Sequence, residues 1–327
     1  RGMFSWLDTS MPTKGGWSID HVLDIISYLL DPSRDVRGPI FVTESDIRRS
    51  CANIPREIVT KILSEVLSHP SSGANQNFSR PTDAPTPEDP NSNNAGHDFF
   101  LRPLLRMSSQ QFVLLDRSVC APACLEALMT PLREEKKGLD DRVGLAVERF
   151  IEWEFTSHGV HILGGDYDAG GNHGECDLVI EALETVIFME VKKKTLTRRA
   201  KAGSDVHLLL DLANSLLVAQ AQAGWHEVRL RHHGYLDLER DGIVTRLELK
   251  GREVERVAAS LFDFGSFQDR ILLKQFLEAT MNATLTPTDS KLGKKFTEIN
   301  ATLVEIRDQV AALNPGQEKI NQPFFNC

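Results

Sequence analysis

Long hydrophobic runs are missing from this chain. No apolar stretch approaches the ~20 residues that a membrane-spanning helix needs, and no secretory leader is visible at its start. A membrane protein is therefore not expected, and a reduced cytoplasm is the expected compartment. Cysteine is scarce: five residues in 327, an odd number at scattered positions, which is no disulfide framework. Cys120 and Cys124 stand four apart in a predicted helix. No second ligand pair lies nearby, so they read as core rather than zinc. Positive charge is also short, with 37 Lys and Arg against 46 Asp and Glu and a net charge of -9. That balance argues against a general nucleic-acid coat protein. It leaves room for local basic patches, because placement matters more than the total. There is no internal repeat. What is present is ordinary for a globular chain: 41% hydrophobic and 25% charged residues, with length for two domains and a sizeable core.

The first domain is expected over residues 1–137. Residues 18–31 read as a helix, with Ser18 as N-cap and Val22, Ile25, Ile26, Leu29 and Leu30 as its apolar stripe. Thr43-Glu44-Ser45-Asp46 is a second N-terminal cap pattern, opening a short helix to about Arg49. Pro55 then starts another helix that runs to Leu67. Two helices on a tight turn resemble a helix-turn-helix, and Ser45, Arg48, Arg49 and Arg56 offer it some DNA-contacting chemistry. Residues 69–97 hold Pro70, Pro81, Pro85, Pro87 and Pro90 among Ser, Asn, Thr and Gly, which predicts a flexible insertion. Strands are expected over 99–104 and 111–115, then a helix over 121–132. Together these suggest a helical, winged-helix-like unit. The second domain is expected over 138–285, with a C-terminal helical extension over 286–327. It would comprise a helix over 141–157, with Val143, Val147, Phe150, Ile151 and Trp153 on its apolar face. A strand over 160–163 and a glycine-rich loop over 164–174 follow. After the hairpin described next come a helix over 205–223, strands over 228–230 and 244–249, and helices over 271–281 and 296–313. The fold class is α/β, an α+β mixed sheet.

The most informative stretch is Gly174-Glu175-Cys176-Asp177-Leu178-Val179-Ile180-Glu181, followed by Ile187-Phe188-Met189-Glu190-Val191-Lys192. Two apolar runs on a short connection read as a β-hairpin. Strand parity puts Glu190 and Lys192 on one face and Val191 on the other. Acids and a lysine at the ends of apolar strands are costly to desolvate and call for a charged partner. The arrangement resembles the PD-(D/E)xK nuclease superfamily, with its restriction-endonuclease-like core. Asp177 matches the Asp, Glu190-Val191-Lys192 matches Glu-x-Lys, and Glu148 in Gly144-Leu145-Ala146-Val147-Glu148 matches the acid of the family's first helix. Cys176 stands where the family name has Pro. The likeness covers roughly 138–235.

The resemblance implies Mg²⁺, or Mn²⁺, held by Asp177, Glu190 and the Val191 carbonyl, with Glu148 acting through water or on a second ion. Hard oxygen donors suit such cations. Lys192 would orient the attacking water. The reaction implied is phosphodiester hydrolysis of nucleic acid, DNA foremost, in bacterial defence, restriction or repair. Lys193, Lys194, Arg198, Arg199 and Lys201 continue a basic run that would contact phosphates, and Arg229, Arg231, His232 and His233 form a second basic stretch. Gln220 or Gln222 would help to position substrate, as a Gln on the following helix does in some family members. Zinc-like spacings exist at His158-x2-His161 and His173-x2-Cys176. Cys176, however, alternates with Asp177 and should face the core. The alternative function is a non-cleaving scaffold, or a subunit active only with further protein subunits or as a homo-oligomer.

Overall fold

The computed structural model describes residues 4, 6–33, 38–68, 102–197, 200, 204–261 and 264–314. The predicted flexible insertion over 69–97 lies outside the described residues, as do Arg198, Arg199 and Lys201. The chain divides into two compact units, Arg1–Val143 with Lys201–Ser204, and Gly144–Ala200 with Asp205–Cys327. The architecture is mixed α and β, and no described helix is long and apolar enough to cross a membrane.

The first unit runs α1 (Ile19–Leu30), β1 (Ile40–Thr43), α2 (Glu44–Ser50), α3 (Arg56–Lys61, continued by a π turn Ile62–Leu67), β2 (Leu104–Arg106), β3 (Gln111–Leu114) and α4 (Arg117–Glu135). Ser18 caps α1, its Oγ accepting from the His21 amide at 3.3 Å, with Val22, Ile25 and Leu29 buried. Thr43 and Asp46 form a reciprocal capping box on α2. The strands make an antiparallel sheet in the order β1-β3-β2. β1 has no counterpart in the sequence reading. α4 runs from Arg117 to Glu135, longer at both ends than the expected 121–132, with Pro122 and Pro131 inside it.

The second unit begins within α5 (Leu139–Ser157) and continues with β4 (Ile162–Ala169), β5 (Asn172–Glu181), β6 (Thr185–Lys192), α6 (Asp205–Leu212), a π turn (Ala213–Leu217), α7 (Val218–His233), β7 (Tyr235–Arg240), β8 (Ile243–Glu248), β9 (Glu253–Ser260), α8 (Arg270–Met281) and α9 (Gly293–Leu313). One six-stranded sheet has the order β8-β7-β4-β5-β6-β9. β9 runs parallel to β6 along its whole length, from Thr185↔Glu253 to Lys192↔Ser260, and the other pairings are antiparallel. α7 lays Ala223 and Leu230 on a core that includes Leu163, Cys176, Val179, Val186, Phe188, Leu236 and Leu247. α9 packs Leu303, Ile306 and Val310 with Leu217 and Ala221.

Several expectations are corrected. Residues 228–230 are not a strand but the last turns of α7. Residues 164–174 are not a loop: most of them are paired strand, and only Gly170 and Gly171 make the turn between Ala169 and Asn172. Their φ angles of 65° and 85° are those of a two-residue hairpin turn that glycine adopts freely. Phe150 and Trp153 on α5 are 48% and 61% exposed, so the expected apolar face narrows to Val143 and Val147 as its buried members.

The glycines upstream have a different use. Leu163 pairs with Val179, but Gly165 pairs with Cys176. Two residues of β5, Asp177 and Leu178, therefore stand opposite the single Gly164 of β4, which is a β-bulge. A side chain at Gly164 would come within 2.7 Å of the Asp177 carbonyl oxygen and 2.6 Å of Arg240 Nη2. At Gly165, with φ +120°, a Cβ would overlap the Glu239 carbonyl. Gly165→Ala is expected to destabilise the protein by about 3 kcal/mol, since a clash with backbone and a forbidden φ act together. A urea denaturation midpoint equal to that of the wild type would contradict this account of the bulge.

Candidate active site

The bulge decides where Asp177 sits. β5 and β6 pair from Leu178↔Met189 to Glu181↔Val186, and one step further would set Asp177 opposite Glu190. There the backbone ladder gives way to a side chain: the Val191 amide donates to Asp177 Oδ2 at 2.8 Å. In an extended strand the N–H and C=O of one residue leave on the same side, so the Val191 carbonyl also points toward β5 and Asp177. The bulge carbonyl of Asp177 is pinned by Arg240, whose Nη2 donates to it at 2.9 Å while Nη1 donates to Glu152 at 3.1 Å.

Glu190 is only 1% exposed, and a carboxylate so buried needs partners. It has two. Lys192 Nζ donates to Oε2 at 3.0 Å, and His226 Nε2 lies 3.2 Å from Oε1. Lys192 Nζ also donates to Gln222 Oε1 at 2.5 Å. The spacing explains why two pairs form together. Gln222 and His226 are four apart on α7, about 6 Å along a helix, and Glu190 and Lys192 are two apart on β6, about 7 Å along a strand. Behind His226 stand Tyr167 and Arg229: Tyr167 Oη is 2.6 Å from His226 Nδ1, and Arg229 Nη1 donates to Tyr167 Oη at 2.7 Å.

The carboxylates affect one another's charge. Burial pushes Glu148 up to about 7, the negative charges of Asp177 and Glu175 adding to it and Arg240 and Lys192 opposing it. Asp177 is raised by burial first and then by Glu190, against the hydrogen bond from Val191. Burial would raise Glu190 too, but the His226 hydrogen bond and the Lys192 charge hold it below the usual value. Buried acids that converge and repel one another are the donor set of a hard divalent cation, so Asp177 and Glu190 suit one, with Glu148 close enough to feel their charge. Among the described residues no group of three or more His, Cys, Asp and Glu side chains is gathered so as to hold a metal ion.

The charge state of Glu148 carries a stability prediction. Its carboxyl titrates near 4.5 unfolded and about 7 folded, so between those values the folded protein holds the extra proton. Stability is then lost as pH rises through that window and stays low above it. Glu148→Gln is expected to melt higher than the wild type in EDTA at pH 8, with the advantage shrinking toward pH 4.5. A melting difference independent of pH would contradict it.

The structure therefore brings together Glu148, Asp177, Glu190, Val191 and Lys192. It treats the basic run unevenly. Lys193 reaches over α5, its Cδ 3.2 Å from where a Cβ on Gly144 would lie, so Gly144 makes room for it. Lys194 is paired with Asp211 at 3.7 Å. Gln220 is buried, and its Oε1 has no hydrogen-bond partner among the described residues, while Gln222 is the glutamine that meets Lys192. Cys176 faces the core. The sequence reading missed His226, Tyr167 and Arg240. The strand expected at 228–230 hid the first, the loop expected at 164–174 hid the second, and β7 was not foreseen. One usable signal for His226 was the Gln222-x3-His226 spacing on a helix that follows Glu-x-Lys. Comparison with protein-family models, with curated proteins and with solved structures finds no match.

Proposed function

We propose that this protein is a metal-dependent nuclease of the PD-(D/E)xK type, hydrolysing phosphodiester bonds of nucleic acid, with DNA the first substrate to test. The observation that carries the reading is the meeting of Asp177, Glu190 and Lys192 across two adjacent strands, with Asp177 turned by a bulge onto the Val191 amide. The topology supports it. A helix, three antiparallel strands, a helix and a strand parallel to the third is the order of a restriction-endonuclease-like core, with the β7-β8 hairpin added at the opposite edge. In the first unit, the order helix, strand, two helices and hairpin with the sheet β1-β3-β2 supports a winged-helix-like module for contacting DNA. Arg48 and Arg56 are exposed on its helices.

Asp177, Glu190 and the Val191 carbonyl would hold the cation, with Glu148 behind them. A bound Mg²⁺ or Mn²⁺ would supply polarisation of the phosphodiester and stabilisation of the leaving oxygen. Lys192 spends two of its three N–H donors on Glu190 and Gln222, leaving one to orient a water or a phosphate oxygen. Its positive charge favours the more negative transition state. Plasmid, linear duplex, single-stranded DNA and RNA, each incubated with the protein in Mg²⁺ or in EDTA, test the proposal. Cleavage of at least one substrate in Mg²⁺ and none in EDTA is expected. Binding without cleavage under every condition would favour a non-cleaving scaffold.

A further inference from the structure

We propose that His226 is a positioning residue, locked by Tyr167 and Arg229 into one tautomer so that its Nε2–H fixes the Glu190 carboxylate for cation binding. The inference rests on the metal-dependent reading above and deepens it.

The argument starts from Arg229. A guanidinium only donates hydrogen bonds, so at 2.7 Å it makes the Tyr167 oxygen an acceptor. The single phenolic hydrogen must then go elsewhere, and His226 Nδ1 is 2.6 Å away. Nδ1 therefore accepts, the ring proton lies on Nε2, and Nε2–H points at Glu190 Oε1, 3.2 Å distant. The other end agrees: an ionised Glu190 carboxylate can only accept, so the nitrogen facing it carries the hydrogen.

The ring has little freedom to leave this arrangement. Tyr167 and His226 are each 4% exposed. The Tyr167 ring meets His226 edge-on with centroids 5.5 Å apart, and Phe188 lies at 5.4 Å on a tilted contact. With His226 on Oε1 and Lys192 on Oε2, both oxygens of Glu190 are held and the plane of the carboxylate is set. Burying a tyrosine and a histidine against a half-buried arginine costs desolvation that apolar side chains would avoid. A chain of this kind, ending on a carboxylate that faces Asp177, has the form of the outer hydrogen bonds that orient metal-binding carboxylates.

Mn²⁺ titration of the full chain, followed by the electron paramagnetic resonance signal of free Mn²⁺, tests this. In His226→Gln the amide nitrogen reaches about as far as Nε2 and can still donate to Glu190. In His226→Asn it ends near the position of Nδ1 and cannot. His226→Asn is expected to weaken Mn²⁺ binding by about 10–100-fold, and His226→Gln to restore most of it, although His226→Asn, ending at the Nδ1 position, is the variant that can keep a bond to Tyr167. Tyr167→Phe keeps the ring and removes the hydrogen that fixes the tautomer, and is expected to weaken binding by a smaller factor. It decides the matter if His226→Asn does not fold, unchanged affinity counting against the proposal. Equal Mn²⁺ affinity in wild type, His226→Asn and His226→Gln, or equal losses in the two variants, would overturn the positioning role and leave the metal-dependent reading standing. A wild type that binds no Mn²⁺ would overturn that reading, and the inference with it.

Discussion

Lys192→Ala is expected to lower the cleavage rate by about 10²–10³-fold, the usual loss when one electrostatic group acting on a phosphoryl-like transition state is removed. The loss should fall on kcat, because the charge acts most strongly once negative charge has built up on the reacting oxygens. The variant leaves Glu190 with His226 as its remaining partner. Stability will also fall, since one member of a buried ion pair is gone, so single-turnover rates should be compared below the melting temperature and at saturating Mg²⁺. Lys193→Ala is the control. Lys193 has the opposite strand parity and lies over Gly144, so its loss should weaken binding in a salt-dependent way and spare the chemical step. Equal rate losses from the two variants would point to a generic basic patch.

Asp177→Asn is expected to weaken Mn²⁺ binding by more than about 10²-fold, beyond the upper end of what losing a merely supporting group costs. The substitution is nearly isosteric, and an amide oxygen can still accept the Val191 N–H, so the bulge should persist. The effect on stability has the opposite sign. Burial and the neighbouring Glu190 both disfavour the Asp177 charge, so the neutral variant should melt above the wild type in EDTA. Mn²⁺ should reverse the order. A cation at 100 times its Kd stabilises the folded wild type by about 2.7 kcal/mol, and the variant should gain almost nothing. Differential scanning calorimetry with and without Mn²⁺ checks both halves.

Much of the candidate site is legible in the sequence because strand parity and helix period are local rules. Glu190 and Lys192 share a face by alternation alone, whereas Glu148 is reached through the family resemblance, the helix pattern placing it only at the border of the α5 apolar face. Ser18 and Thr43 announce their helices by side-chain chemistry that acts within three residues. The misses share a cause: glycine and proline mark exceptions, and the kind of exception depends on the neighbouring strand. Gly164 and Gly165 suggest a loop until β7 is known to bring Arg240 and Glu239 against them. Cys176 does point inward, but the bulge that moves Asp177 relative to it spoils any simple parity count across β4. β7 and β8 meet at Asp241-Gly242, a strong hairpin signal with both residues at positive φ, which places the strands directly on either side of it rather than at 228–230. β9 lies outside the reach of such rules, since each of its residues pairs with one of β6 that is 68 positions earlier, as Thr185 does with Glu253. His226 is legible only once α7 is known to cross the sheet at Glu190.

The central claim is that Asp177 and Glu190 share a cation. The most direct measurement is a crystal soaked in Mn²⁺, with anomalous data collected at the manganese edge. The account predicts a peak between the two side chains, with the Val191 carbonyl among its ligands and oxygen distances of about 2.1–2.2 Å, near those of Mg²⁺. A well-ordered crystal with no peak there, or with manganese bound only elsewhere, would contradict it.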